Sequence, residues 1–150
     1  MTERQAQTIR LADYRPPRYH VDHVDLTFEL APRGTRVVSE LTCRRHGDHQ
    51  APLWLDGDEL ELESVALDGE TLAADQYDCR DDGLSIPGVP ERFTLTVVCR
   101  VDPVENTALD GLYQSSGNFC TQCEPEGFRR ITFFPDRPDV LSRYRVTLIA

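Results

Sequence analysis

Apolar and polar residues alternate along most of this chain with a period of two, the spacing of a half-buried strand. From Tyr19, one face reads His20, Asp22, Val24, Leu26, Phe28 and Leu30, and the other Tyr19, Val21, His23, Asp25, Thr27 and Glu29. The pattern predicts a strand, and Pro32-Arg33-Gly34 predicts the turn that closes it. A second strand is expected over about Arg36 to Arg45, closed by His46-Gly47-Asp48, so the two form a hairpin. Extended pieces follow at Leu53 to Leu55 and at Glu59 to Leu67, where Leu60, Leu62 and Val65 mark the apolar side. Asp68-Gly69 and Asp82-Gly83 are tight-turn signatures, and the second separates extended segments at Gln76 to Arg80 and Leu84 to Ile86. Arg92 to Val101 (RFTLTVVCRV), rich in β-branched and aromatic residues, is the strongest strand pattern of all.

No stretch of helical period and length occurs before residue 105. The first 17 residues are predicted to be an extended lead-in, since Pro16-Pro17 forbids helix just before the first strand. Asp136 to Ser142 is expected to make one short helical turn, with Pro138 suited to its first turn. Arg143 to Ile149 (RYRVTLI) is a last strand that stops at Ala150 without a turn. The expectation is one mostly β domain spanning 1–150, an antiparallel β-sandwich incomplete at its carboxyl end. Its final strand should have an edge that is open or paired with another copy.

The charge changes the picture by exclusion. Sixteen basic residues, all arginine, stand against 26 acidic ones, a formal net charge of −10. Such a surface repels phosphate backbones and anionic membranes, so neither nucleic acid nor membrane is an expected partner. The amino terminus has no apolar run of a secretory signal, and a cytoplasmic location is expected. In that setting the five cysteines are thiols, with Cys43 and Cys99 acting as small apolar residues inside strands.

Candidate chemistry is sparse. His20 and His23, three apart, should fall on opposite faces of a strand, and His46 and His49 in a solvated turn. The runs Asp56-Gly57-Asp58-Glu59 and Asp81-Asp82-Gly83 lack full calcium-loop spacing and read as turns. Cys120 and Cys123 form C-x-x-C, but no second ligand pair completes a zinc knuckle and no βαβ pattern frames a redox motif. Structural thiols packing a loop are the reading that remains best supported.

Three motifs then occur in order. Thr107-Ala108-Leu109-Asp110-Gly111-Leu112-Tyr113-Gln114-Ser115 resembles the N-T-A-L-x-G-L-Y-x-S stretch of bacterial aminopeptidase N. Cys120-Thr121-Gln122-Cys123-Glu124, followed by Glu126-Gly127-Phe128-Arg129, is similar to its C-T-Q-C-E-x-E-G-F-R stretch, and Phe133 to Asp139 to the segment after it. With similar pieces at Asp13-Tyr14-Arg15, Asp25 to Phe28 and Pro90 to Leu95, the resemblance covers nearly the whole chain.

The resemblance implies the amino-terminal β-sandwich domain of a zinc metallo-aminopeptidase, a hydrolase that removes single residues from peptide amino termini. It implies that this domain docks on a catalytic domain, absent from this chain, that holds the zinc. None of the four histidines forms an H-E-x-x-H pair, so the chain alone is expected to be inactive. By motif match, Glu124 would bind the free α-amino group of the peptide, and Gln122 would line the pocket for the first side chain. In the family the recognition carboxylate or amide often precedes a cis bond; here Pro125 follows Glu124, and a cis Glu124–Pro125 bond is expected. A free-standing β-sandwich binding module is the alternative, and a redox or zinc-ribbon protein using Cys120 and Cys123 a third.

Overall fold

The computed structural model describes residues 10–150, so the expected lead-in lies outside the described residues up to position 9. From residue 10 it runs without regular structure apart from a single 3-10 turn at Leu11–Asp13. Eleven strands follow in chain order: β1 (Tyr19–Glu29), β2 (Thr35–Arg45), β3 (Leu53–Asp56), β4 (Glu61–Leu67), β5 (Glu70–Thr71), β6 (Asp78–Arg80), β7 (Gly83–Ile86), β8 (Arg92–Val101), β9 (Gly111–Ser115), β10 (Asn118–Gln122) and β11 (Arg143–Ile149). They form a six-stranded sheet ordered β11-β1-β2-β8-β4-β5, a three-stranded sheet β3-β7-β6 and the hairpin β9-β10. All pairings are antiparallel except β1 with β11, which is parallel.

The core lies between the two larger sheets. Val24, Leu26, Val37, Leu41, Val65, Leu95 and Val97 of the large sheet face Leu53, Leu55, Leu84 and Ile86 of the small one. Phe133 and Phe134 close one side, and Phe134 extends the small sheet by a bridge to Asp56. Burying each large apolar side chain contributes about 1.5–3 kcal/mol, so this layer dominates the stability. Three buried hydroxyl residues are compatible with it because two hydrogen bonds absorb them. Thr132 Oγ1 donates to Ser39 Oγ at 3.1 Å, and Thr35 Oγ1 to the Ala31 carbonyl at 2.6 Å.

Strict alternation fails in β1. The register with β2 slips between Val21 and His23, so Asp22 is a bulge residue. One extra residue inverts the parity upstream of it. Tyr19 and Val21 therefore join Val24, Leu26 and Phe28 in the core, while His20 and His23 both face outward instead of lying on opposite faces. A second slip in β4, between Leu62 and Ser64, explains why Leu62 and Val65 share a side despite odd spacing. The outward face of the large sheet is cross-linked by charge: Arg36 bonds Glu29 at 3.0 Å and Glu63 at 2.9 Å, and Arg100 also reaches Glu63.

Two further differences from expectation concern the second half. Asp136 to Ser142 makes only a turn at Pro138-Asp139, and the helical turn lies earlier, at Phe128–Arg130. The sequence around Gly111 to Gln122, read above for its motif, is a hairpin. Its two-residue connection, Ser116 (φ 50°) and Gly117 (φ 82°), has the positive φ pair of a type I′ turn, as do Asp68 and Gly69.

Candidate functional site

The hairpin β9-β10 presents the motif residues. Gln122 ends β10 opposite Gly111, and the chain then turns through Cys123 to Gly127. The Glu124–Pro125 bond is cis, as expected. The Gly127 amide donates to the Cys123 carbonyl at 2.9 Å, and the Gln122 side-chain amide donates to the Glu124 carbonyl at 2.9 Å. The structure thus joins the two predicted site residues in one turn, both exposed, with Gln122 bracing the backbone that carries Glu124.

Supports converge on this turn. A Cβ on Gly127 would stand 2.5 Å from the Gln122 carbonyl oxygen and 2.8 Å from both Asp110 Oδ1 and the Cys123 Cα, so only glycine fits. Asn106 ties the segment before β9: its Nδ2 donates to the carbonyls of Asp110 and Leu112 at 2.7 and 2.9 Å. Beyond the turn, Arg129 Nε donates to Asp136 Oδ2 at 3.0 Å, and Arg130 holds Asp58 at 2.6 Å. Asn106, Asp110 and the Arg129–Asp136 pair are absent from the sequence-based site. An Asn whose Oδ1 accepts from the amide two residues on, here Ala108, is a local turn signal that could have marked Asn106.

The two acidic residues of the turn differ. Glu126 (φ 61°) lies 3.6 Å from Arg129, whereas Glu124 makes no ion pair among the described residues. Beside the turn a cavity of about 370 Å³ is bordered by Asp58, Asp81, Asp110 and Glu126, with Trp54 and Arg130. Acidic residues outnumber the two cations of this cavity, Arg129 and Arg130, and Pro125 borders it beside Glu124.

Cys120 and Cys123 are free thiols, as are the other three cysteines. Cys123 packs against the core, and its thiol is pushed up by burial first and by the carboxylates of Asp136, Asp110 and Glu124. A redox cysteine needs the opposite shift. Of the acidic runs, Asp56 ends β3 and Asp58-Glu59 forms a bend after it, while Asp81-Asp82 is the turn that leads into Gly83 at the start of β7. Among the described residues no group of three or more His, Cys, Asp or Glu side chains is placed to hold a metal, so the catalytic zinc centre of an aminopeptidase has no ligand set of that kind here. Among the described residues no helix is long and apolar enough to cross a membrane.

No family model matches the chain. It is 51% identical to aminopeptidase N of Caulobacter vibrioides over 144 residues, and 46% identical to aminopeptidase N of Escherichia coli over 138 residues. This chain is a homologue of the amino-terminal part of aminopeptidase N. The matches take in 96% and 92% of the chain but only 17% and 16% of those proteins, so it spans about a sixth of its aminopeptidase N relatives. A solved structure of Legionella pneumophila aminopeptidase A in complex with aspartic acid superposes with a TM-score of 0.87 at 34% identity, covering 95% of the chain and 17% of that protein. An M1 zinc metallopeptidase from Deinococcus radiodurans, at 17% identity and a TM-score of 0.70, covers 87% of the chain and 32% of its own and shares the fold. The aminopeptidase N homology and the mostly β, predominantly antiparallel architecture expected from the sequence therefore agree with what the chain resembles in both sequence and structure.

Proposed function

We propose that this chain is the recognition domain of a zinc aminopeptidase, and that Glu124 reads the free amino group of a peptide while Gln122 lines the site for its first side chain. The observation that carries the reading is the pairing of an exposed Glu124, which makes no ion pair among the described residues, with a turn braced by Gln122 and closed by Gly127. A carboxylate is the simplest reader of an ammonium group, and one with no competing cation is available for it. The acidic cavity alongside adds a negative potential that draws a cationic amine terminus and repels a carboxylate one.

The zinc belongs to a catalytic domain on which this domain docks, outside the present chain, and the isolated chain is inactive. Its own part is to bind and orient: an exopeptidase has to fix the distance from the free amine to the bond that is cut. Five unbridged thiols suit a reducing, cytoplasmic setting.

The test is made in the full-length enzyme against an alanyl amide. Glu124→Ala should lower kcat/KM by about thirtyfold or more, the equivalent of ~2–5 kcal/mol for removing one partner of a desolvated charge pair. Glu126→Ala, whose carboxylate lies beside Arg129, should change it little. Equal, mild effects from both would overturn the assignment.

A further inference from the structure

The outward face of the hairpin β1-β2 carries two imidazoles that the recognition site does not use. His20 stands opposite Arg44, and His46 follows the end of β2, so the two are diagonal neighbours across the strand pair. Their rings stack with centroids 4.8 Å apart, and His20 Nε2 lies 3.1 Å from His46 Nδ1. The same Nδ1 lies 3.1 Å from the carbonyl oxygen of Pro17. One ring nitrogen therefore faces two partners. It carries either one hydrogen or one lone pair, so the hydrogen is shared between two acceptors or one contact goes without.

We propose that His20 Nε2, His46 Nδ1 and the Pro17 carbonyl form a site for a transition-metal ion of the kind that favours imidazole, such as Ni²⁺ or Zn²⁺. Two nitrogens bound at ~2.0–2.1 Å to one ion are about 2.9–3.4 Å apart, from right-angle to tetrahedral geometry, and the observed spacing falls inside that range. The carbonyl at the same spacing from Nδ1 supplies a third donor, and water completes the shell. An ion turns the shared contact into three satisfied donors.

The other histidines are occupied. His23 pairs with Asp25 at 3.1 Å, and His49 lies 3.1 Å from the Arg18 carbonyl while its Nδ1 accepts from the Ala51 amide. Arg44, the nearest cation by register, has both oxygens of Asp22 at 3.0 Å from its Nε, which offsets part of its charge. The site depends on the bulge at Asp22 and on the approach of Pro17, not on sequence spacing.

The test uses the chain itself, titrated with Ni²⁺ and followed by residue-resolved NMR. The paramagnetic ion should broaden His20, His46 and their neighbours first, saturating near one equivalent. His46→Gln, whose amide can still donate to the Pro17 carbonyl, should weaken binding at least about tenfold, and His20→Asn likewise, while His49→Ala leaves it unchanged. The unperturbed remainder of each spectrum reports that the variant is folded; should His46→Gln fail that check, His20→Asn decides alone. Broadening centred on Cys120 and Cys123 or on His49, or unaltered affinity in the folded variants, would overturn the proposal.

Discussion

Replacing Gly127 by alanine isolates what holds the turn that carries Glu124. The glycine sits at φ −84°, a conformation any residue adopts, so the cost of a side chain there is steric and not conformational. The methyl would enter at 2.5 Å from a backbone oxygen and 2.8 Å from a backbone Cα, neither of which can swing away as a side chain would. Forcing a methyl into such a site typically costs ~1–3 kcal/mol, taken up by shifting backbone. For a chain of this size that lowers Tm by roughly 2–12 °C. Gly117→Ala is the matching control, with the opposite cause: nothing lies within 4 Å of its Cβ, but φ is +82° and the penalty of about 1–2 kcal/mol is conformational. The assay is thermal unfolding of both variants, with backbone chemical shifts at Gln122 and Glu124. Gly127→Ala should displace those shifts and Gly117→Ala should leave them near wild type. In the full-length enzyme only the former should lower kcat/KM, since an error of an ångström in a positioning group is costly. Native shifts at Gln122 and Glu124 in a folded Gly127→Ala chain would refute the steric argument.

Four further outcomes follow from other parts of the molecule. The buried thiols of Cys43 and Cys99 are each pushed up to about 12, from an ordinary value of 9.0, by burial above all. Because the folded value is raised, their contribution is fully present below pH 9 and lost as pH rises from 9 through 12, at about 1.4 kcal/mol per pH unit and thiol, which urea unfolding from pH 8 to 11 checks. Alkylation of the native chain should modify exposed Cys79 well before either of them. Phe133, 2% exposed between Gly57 and the core, should cost ~3–5 kcal/mol on replacement by alanine, read from the urea midpoint. On β11, Tyr144, Val146 and Leu148 lie in register with the core residues Val24, Leu26 and Phe28 yet are 48–64% exposed. The chain should therefore self-associate in sedimentation at high concentration, and Val146→Lys should reduce it.

The period-two pattern and the turn residues determined the strands by themselves. Arg92 to Val101 was predicted to the residue, and Asp68-Gly69 marked its turn, because alternation and positive φ are local properties of the chain. The motif match likewise singled out Gln122 and Glu124 as candidate site residues from order and spacing alone, and the structure places them beside one another. What the tertiary structure decided is which way residues face and what meets them. The bulge at Asp22 reversed the side on which Tyr19 and Val21 lie, because one inserted residue inverts every parity beyond it and only the partner strand reveals the insertion. The parallel placement of β11 beside β1, and the meeting of His20 with His46 and Pro17, join segments far apart in the chain. The same holds for the turn that frees Glu124 while Arg129 lies beside Glu126: two glutamates two residues apart read alike, and only their neighbours in space separate them.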